Sequence, residues 1–420
     1  MTFDEAIEPL TVSEFVDRHL GSRYLLLRPG VPRFEHLIRW DEVNTALRHV
    51  RFSPQRLRLV QSGKTIPAGS YTFVDDDASG GSSLDARRFE RLLASGATLS
   101  INKVDEMFPE VQTFAESCEE QFRIPVGVNL YAGWRTDNGF DLHWDRHDTL
   151  ILQIAGRKHW TVYEPTVEHP LDDRLLTPPP TPTAAPVWDG PLEAGDLLYM
   201  PRGWWHVARP LDEPTLHITA GLRHRTAATL LRWVGAELNK QASFRADLPV
   251  KAAAAGQAAY AATVREMVAA ALTDDVVERY LRMVEHEIPA RPRVQLPDAA
   301  MSKPVRLEPD TPLRLASGHQ LHLDPPTAGR TLLFKIGETS WTCDIGLAPA
   351  LRRLRGGRPT TIKEMGAAIE PMYRLPLRMF VETMLAQHVI WAERPQPTPA
   401  SASISPPTHA SSVPPSTVMI

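Results

Sequence analysis

Two separated pieces, His143-Trp144-Asp145 and His206, constrain the fold of this chain more than any other feature. Side chains two apart on a β-strand share a face, so His143 and Asp145 are predicted to point at one spot. His206 lies far downstream, at the end of Glu193-Ala194-Gly195-Asp196-Leu197-Leu198-Tyr199-Met200-Pro201-Arg202-Gly203-Trp204-Trp205. A fold that closes this histidine onto the first pair assembles two imidazoles and one carboxylate. On one face of a metal with other positions open, that is the donor set of non-heme Fe(II) oxygenases. H-x-D alone carries little weight, because a buried His–Asp hydrogen-bonded pair explains it as well.

The order of the intervening pieces says more. After the triplet come an apolar run (Leu150, Ile151, Leu152, Ile154), Gly156-Arg157-Lys158, a Gly-Asp…Pro-x-Gly turn and His206. Short strands separated by turn residues predict a double-sheet jelly roll whose interior holds a ligand. The series N-x-Y…H-x-D…L-Q-x-x-G-x-K-x-W…G-D-x-L-Y-x-P-x-G-x-x-H is present in full, from Asn129 to His206. In this it resembles the Jumonji-C (JmjC) branch of the cupin superfamily, in particular the ribosomal oxygenases.

That resemblance implies an α+β protein with a double-stranded β-helix core. It implies Fe(II) held by His143, Asp145 and His206, with 2-oxoglutarate as co-substrate. Lys158 occupies the family's position for the lysine that meets the distal carboxylate of 2-oxoglutarate. Asn129 and Tyr131 take the family's asparagine and tyrosine positions, lining the co-substrate and peptide sites. Thr219 adds a hydroxyl on the last strand, Leu216–Thr219 by alternation. His147, two past Asp145, shares its face if the strand runs that far, and is read as lying beside the ligands or facing substrate. His217 is read as a packed core histidine. The implied activity is hydroxylation of an amino-acid side chain, Arg or His, in a ribosomal protein or a peptide. N-methyl demethylation and a non-catalytic cupin/winged-helix binding protein stand as alternatives. No nucleophile or acid/base dyad is needed; Gly63-Lys64-Thr65 lacks the first glycine of a P-loop, and His286-Glu287 lacks the second histidine of H-E-x-x-H.

A chain of 420 residues has room for two or three domains. Its net charge of −4 gives no general field for nucleic acid or anionic membrane. Two cysteines, Cys118 and Cys343, build no disulfide framework, so an intracellular, cytoplasmic setting is expected. No run of 18 apolar residues reads as a membrane span, and the acidic start reads as no signal peptide. Residues 1–95 read as an α/β lead-in, with Leu57 and Leu59 alternating as in a strand. Residues 96–223 read as the jelly roll, entered through a strand at 96–101 and a helix at Pro109–Phe122. Residues 224–299 read as helices, for which the resemblance implies dimerisation and hence a homodimer. Residues 300–394 read as a small α+β domain that the family makes winged-helix-like, with a helix from Pro376 to Trp391. Its run Arg352–Arg358 could meet nucleic-acid phosphates, against the plainer reading of a solvated helix end. Residues 395–420, rich in Pro, Ser and Thr, read as disordered. The acidic loop at Asp75–Asp77 and the extended proline-rich loop at Thr177–Pro186 complete the reading.

Overall fold

A computed structural model describes residues 1–49, 51–73, 82–137, 139–171, 180–286, 288, 307–315, 322–323, 329–336, 339–354, 359–387 and 389–392. The acidic loop at 75–77, residues 177–179 of the proline-rich stretch, residues 355–358 of the basic run and the tail from 395 lie outside them.

The lead-in supplies helices α1 (Phe3–Ala6), α2 (Val12–Arg18), α3 (Trp40–His49) and α4 (Ala86–Ala94). Its strands are β1 (Leu25–Leu27), β2 (Leu57–Gln61), β3 (Lys64–Thr65), β4 (Thr72–Phe73) and β5 (Ser83–Leu84). Thr11 and Glu14 start α2 reciprocally: the Thr11 hydroxyl accepts from the Glu14 amide, and the Glu14 carboxylate accepts from the Thr11 amide. Next come β6 (Thr98–Ile101) and α5 (Pro109–Phe122), the latter begun by proline where no amide bond is lost. The roll itself is β7 (Val126–Gly133), β8 (His143–Trp144), β9 (Asp148–Ala155), β10 (Lys158–Tyr163), β11 (Trp188–Leu192), β12 (Leu197–Met200), β13 (Trp205–Pro210) and β14 (Thr215–Leu222).

These strands make two sheets. The larger runs β1-β12-β9-β14-β7-β6-β2-β3, and the smaller runs β11-β10-β13-β8. β9 is central in the larger sheet and covered on both faces, so Asp148–Ile154 is continuously buried. β10 alternates instead: Lys158, Trp160 and Val162 point inward, while His159, Thr161 and Tyr163 are half-exposed. The main core lies between the larger sheet and the helices, around Phe15, Leu59, Phe114, Leu130, Leu152 and Ile218. At the turn into β10, Gln153 is fully buried; its amide donates to the Ala155 and Gly156 carbonyls and to Thr215 Oγ1. That is the physical content of the L-Q-x-x-G motif.

Beyond the roll stand α6 (Ala227–Leu238), α7 (Ala254–Ala271) and α8 (Val276–His286). Arg123, at the left-handed end of α5, ties α8 to the roll through Glu278 at 2.9 Å and through Glu285. The C-terminal unit contains β15 (Pro312–Leu315), β16 (His322–Leu323), β17 (Thr331–Ile336), β18 (Thr339–Asp344), β19 (Thr360–Thr361) and β20 (Ile390–Ala392). Its helices are α9 (Ala348–Arg352), α10 (Ile362–Ala367) and α11 (Arg374–Ala386). It has its own apolar core around Leu313, Leu351, Met365, Leu377 and Val381. The helix expected to reach Trp391 ends at Ala386. Ile390–Ala392 pairs instead with β15, Leu313 opposite Ala392, where its β-branched and aromatic residues suit a strand.

One buried carboxylate joins the pieces of the roll. Asp148 accepts from the Tyr199 hydroxyl, from the Arg202 amide at 2.9 Å and from His224 Nε2 at 2.9 Å, while Tyr199 accepts from the Gly21 amide at 2.7 Å. Burial acts to raise its pKa, but His224, Tyr199 and Arg202 outweigh this and hold it low. Asp148→Ala leaves three donors without an acceptor in a dry site and should cost about 3 kcal/mol or more in urea unfolding. A loss under about 1 kcal/mol would show that the network is not structural.

Candidate active site

The register of the smaller sheet brings the distant histidines together. β8 and β13 pair antiparallel with His143 opposite His206 and Trp144 opposite Trp205. Their imidazole centroids lie 4.3 Å apart. β8 ends at Trp144, so Asp145 sits just past the strand rather than on it. The Gly203 amide holds the Asp145 carbonyl at 2.9 Å, and the carboxylate lies 3.7 Å from His206 Nε2. Gly203 adopts φ +85°, and a Cβ there would meet the Pro170 ring at 2.6 Å, so the P-x-G turn needs glycine. One ligand atom from each of His143, Asp145 and His206 falls within 4.8 Å of the others.

The donors have the right chemistry for a metal. His143 Nδ1 donates to the Asp141 carbonyl at 2.7 Å, and His206 Nδ1 to the Trp204 carbonyl at 3.1 Å. Each bond commits Nδ1 and leaves Nε2 as the ring nitrogen available to a metal. His206 is only 6% exposed. Burial, then neighbouring His143, pushes its pKa down to about 4, so it stays neutral through ordinary pH. Two neutral imidazoles and a carboxylate suit Fe(II).

The triad opens into a cavity of about 230 Å³. Lys158 lines it, 5% exposed, with its ammonium 5.8 Å from the Trp160 ring centroid. Among the described residues no carboxylate pairs with it. Burial alone pushes its pKa down to about 8. Thr219 and Tyr131 also line the cavity. Burial, then the Asp145 charge, raises the Tyr131 phenol. Asn129 does not line it: its Oδ1 accepts from the Lys103 amide at 3.2 Å and its side chain meets the Tyr131 hydroxyl. His147 does not line it either. The strand stops short of it, and its ring lies against Gly221.

Some lining residues were not singled out from the sequence. Arg58 comes from β2, Phe140 from the loop before β8, and Thr149, Ile151 and Met200 from the larger sheet. His217, read as core packing, is indeed only 2% exposed, yet it lines the cavity with Nδ1 unpartnered. It stacks on Tyr131 at 5.1 Å, and burial, then Lys158, holds its pKa well down.

Residues 104–230 match the JmjC domain family. The chain carries a JmjC domain. The chain is 33% identical over 169 residues to human ribosomal oxygenase 1, a match that covers 38% of this chain and 26% of that protein. It is 35% identical over 146 residues to the bifunctional lysine-specific demethylase and histidyl-hydroxylase NO66 of Caenorhabditis briggsae, covering 32% of this chain and 19% of that one. The chain thus spans about a quarter or less of these relatives. The Escherichia coli YcfD structure shares the fold over nearly the whole chain: TM-score 0.55, 17% identity, 92% of this chain and 99% of that one. The chain thus shares a JmjC domain match over residues 104–230 and the overall fold of the YcfD structure.

An unpaired buried ammonium costs stability. Folded Lys158 titrates near 8 against 10.5 for a free lysine, so the unfolded chain binds more protons between these values, and stability rises with pH across that window. Lys158→Met should therefore melt higher than the parent without ligand at pH 7, by up to an order of 3 kcal/mol, with the gap closing by pH 10.5. An unchanged or lower melting point at pH 7 would mean that the ammonium is paired.

Proposed function

We propose that this protein is an Fe(II)- and 2-oxoglutarate-dependent oxygenase that hydroxylates an amino-acid side chain in a protein, a ribosomal protein foremost, or in a peptide. The single observation that carries the reading is the meeting, in one cavity, of the His143/Asp145/His206 set with a buried lysine that has no anion of its own. The activities for which similar proteins are named support it. Human ribosomal oxygenase 1 and NO66 are named for such oxidations, and YcfD has been solved with cobalt and 2-oxoglutarate at 18% identity to this chain.

His143, Asp145 and His206 would hold the ion on one face and leave its other positions to co-substrate and O2. With ferrous ion and 2-oxoglutarate bound there, O2 would be the oxidant, one of its atoms converting C–H to C–OH and the other leaving in succinate as 2-oxoglutarate loses CO2. Lys158 would neutralise the distal carboxylate, a charge-assisted contact of roughly 1.5–3 kcal/mol. Thr219, at the same cavity wall, offers a hydroxyl. Ile151, Met200 and Trp160 form apolar walls that keep water from the reacting centre. Tyr131 and Phe140, packed edge to face at 5.8 Å, form the wall by which a target side chain enters.

The helices beyond the roll fit a homodimer. No residue of α7 is buried, and Leu231 is 52% exposed and Val277 54%. The unit after residue 307 is read as winged-helix-like.

His143→Ala and Lys158→Met should each lower conversion of 2-oxoglutarate to succinate at least ~100-fold. Ribosomal proteins from cells with the wild-type protein, but not the His143→Ala variant, should carry a +16 Da adduct, measured by intact mass. Formaldehyde release with loss of 14 Da would favour demethylation. Partner binding retained by His143→Ala, with no turnover in the wild type, would favour the binding-protein alternative.

A further inference from the structure

Across the larger sheet, cross-strand neighbours form one row: Arg58 opposite Ser100, Ser100 opposite Tyr131, and Tyr131 opposite His217. Three strand spacings of about 4.8 Å carry this row some 14 Å, from the wall beside Lys158 to the lead-in strand β2. Arg58, Tyr131 and His217 all face the cavity. Arg58 thus places a second cation in a space that already holds Lys158.

Arg58 is placed to bind and has nothing to bind. Its Nε is buried without a partner, and among the described residues it has no ion pair and no hydrogen bond. Arg56, two residues earlier, also has an unpartnered Nε, but its terminal nitrogens are taken, by Glu106 at 2.7 Å and by the Lys103 carbonyl at 3.0 Å. The Arg58 guanidinium lies over the Phe140 ring at 5.8 Å, and Phe140 in turn lies 6.0 Å from the His143 ring. One aromatic ring therefore separates this cation from a metal ligand. Guanidinium has five donors and no acceptor, so only a group with lone pairs satisfies it. With the metal charge balanced by Asp145 and co-substrate, and Lys158 by the distal carboxylate, Arg58 remains the uncompensated positive charge.

We propose that Arg58 is a specificity-determining residue. It donates to an acceptor on the target side chain, admitting neutral or anionic groups such as imidazole and carboxamide and rejecting guanidinium and ammonium. This rests on the oxygenase reading above and narrows it. Histidine or asparagine side chains are taken, and arginine and lysine are refused because a second like charge would be buried against Arg58.

The test uses the full chain loaded with Zn(II) and 2-oxoglutarate, titrated by NMR with the amides of N-acetyl-histidine, N-acetyl-asparagine and N-acetyl-arginine. The wild type should bind the first two on the order of tenfold or more tighter than the third. Arg58→Met should bring the three together, and Arg58→Lys should keep the rejection of arginine while weakening the others. Equal or tighter binding of the arginine amide by the wild type overturns the proposal without any variant. An unchanged ratio in Arg58→Met overturns it as well, with circular dichroism reporting separately that the variant is folded. Failure to load Zn(II) and 2-oxoglutarate, read from the co-substrate titration alone, refutes the oxygenase reading itself and this narrowing with it.

Discussion

The site depends on one pairing of two residues with two, β8 against β13. A strand as short as His143–Trp144 cannot hold its own place. It is placed by β13, which is itself braced along six residues by β10, Val162 lying opposite His206. Two further bonds then fix what the pairing leaves loose. The Gly203 amide catches the Asp145 carbonyl, and Asp148 catches the Arg202 amide. The loop after the H-x-D triplet and the turn before His206 are thereby tied at two points. The spacing between the three donors is a consequence of backbone hydrogen bonding, and the side chains themselves are left free to bind.

The same cavity concentrates what a folded protein usually avoids. Among the described residues, Lys158 is a buried ammonium without an anion, and Arg58 Nε, His217 Nδ1 and Trp160 Nε1 are buried polar atoms without partners. Each is a cost if the site is only structural. Elsewhere in the roll Asp148 and Tyr199 are as deeply buried and are hydrogen-bonded, while Gln153 bonds through its amide nitrogen and leaves Oε1 without a partner. Unpartnered buried atoms occur elsewhere too, at Thr98, Ser100 and Asn102, but Arg58, Trp160 and His217 gather theirs on the wall of one cavity beside Lys158. That gathering of three unpartnered donors or acceptors and a buried ammonium around one space fits a ligand site better than a poorly packed core.

Much of this was legible in the residues. The alternation of Lys158-His159-Trp160-Thr161-Val162-Tyr163 puts Lys158 on the face with Trp160 and Val162, so a charged residue among inward positions was already visible. The turn residues Gly156, Gly195 and Gly203 marked the strand ends correctly. The helix at Pro109–Phe122 appears with the predicted bounds. Other features were hidden for definite reasons. Whether β8 ran on to His147 depended on where pairing with β13 stopped, which local pattern does not encode. The segment after Ala386 was assigned to the helix because apolar residues fit either period. Its pairing with β15, far off in the chain, decided the matter. Arg58 was invisible as a site residue. Leu57 and Leu59 pack under the helices as expected, but an arginine between them reads as solvent-facing unless the other face of the sheet is known to line a cavity.

That last case shows how the fold divides its work. The smaller sheet carries His143, Lys158 and His206, and all three lie within the matched stretch 104–230. The larger sheet forms the opposite wall, and its lead-in strand β2 carries Arg58, outside that stretch. Oxidation by a bound metal and co-acid makes the same demands whatever the target, so the residues that meet them can form a compact motif. Selection of the target depends on what stands across the cavity, and here that wall is built from a strand on the far side of β6. Similarity over the JmjC domain therefore bears on the chemistry far more than on the substrate. On the proposal above, the charge of the facing wall, a guanidinium with no ion pair among the described residues, would distinguish this cavity from one built to receive a cationic side chain.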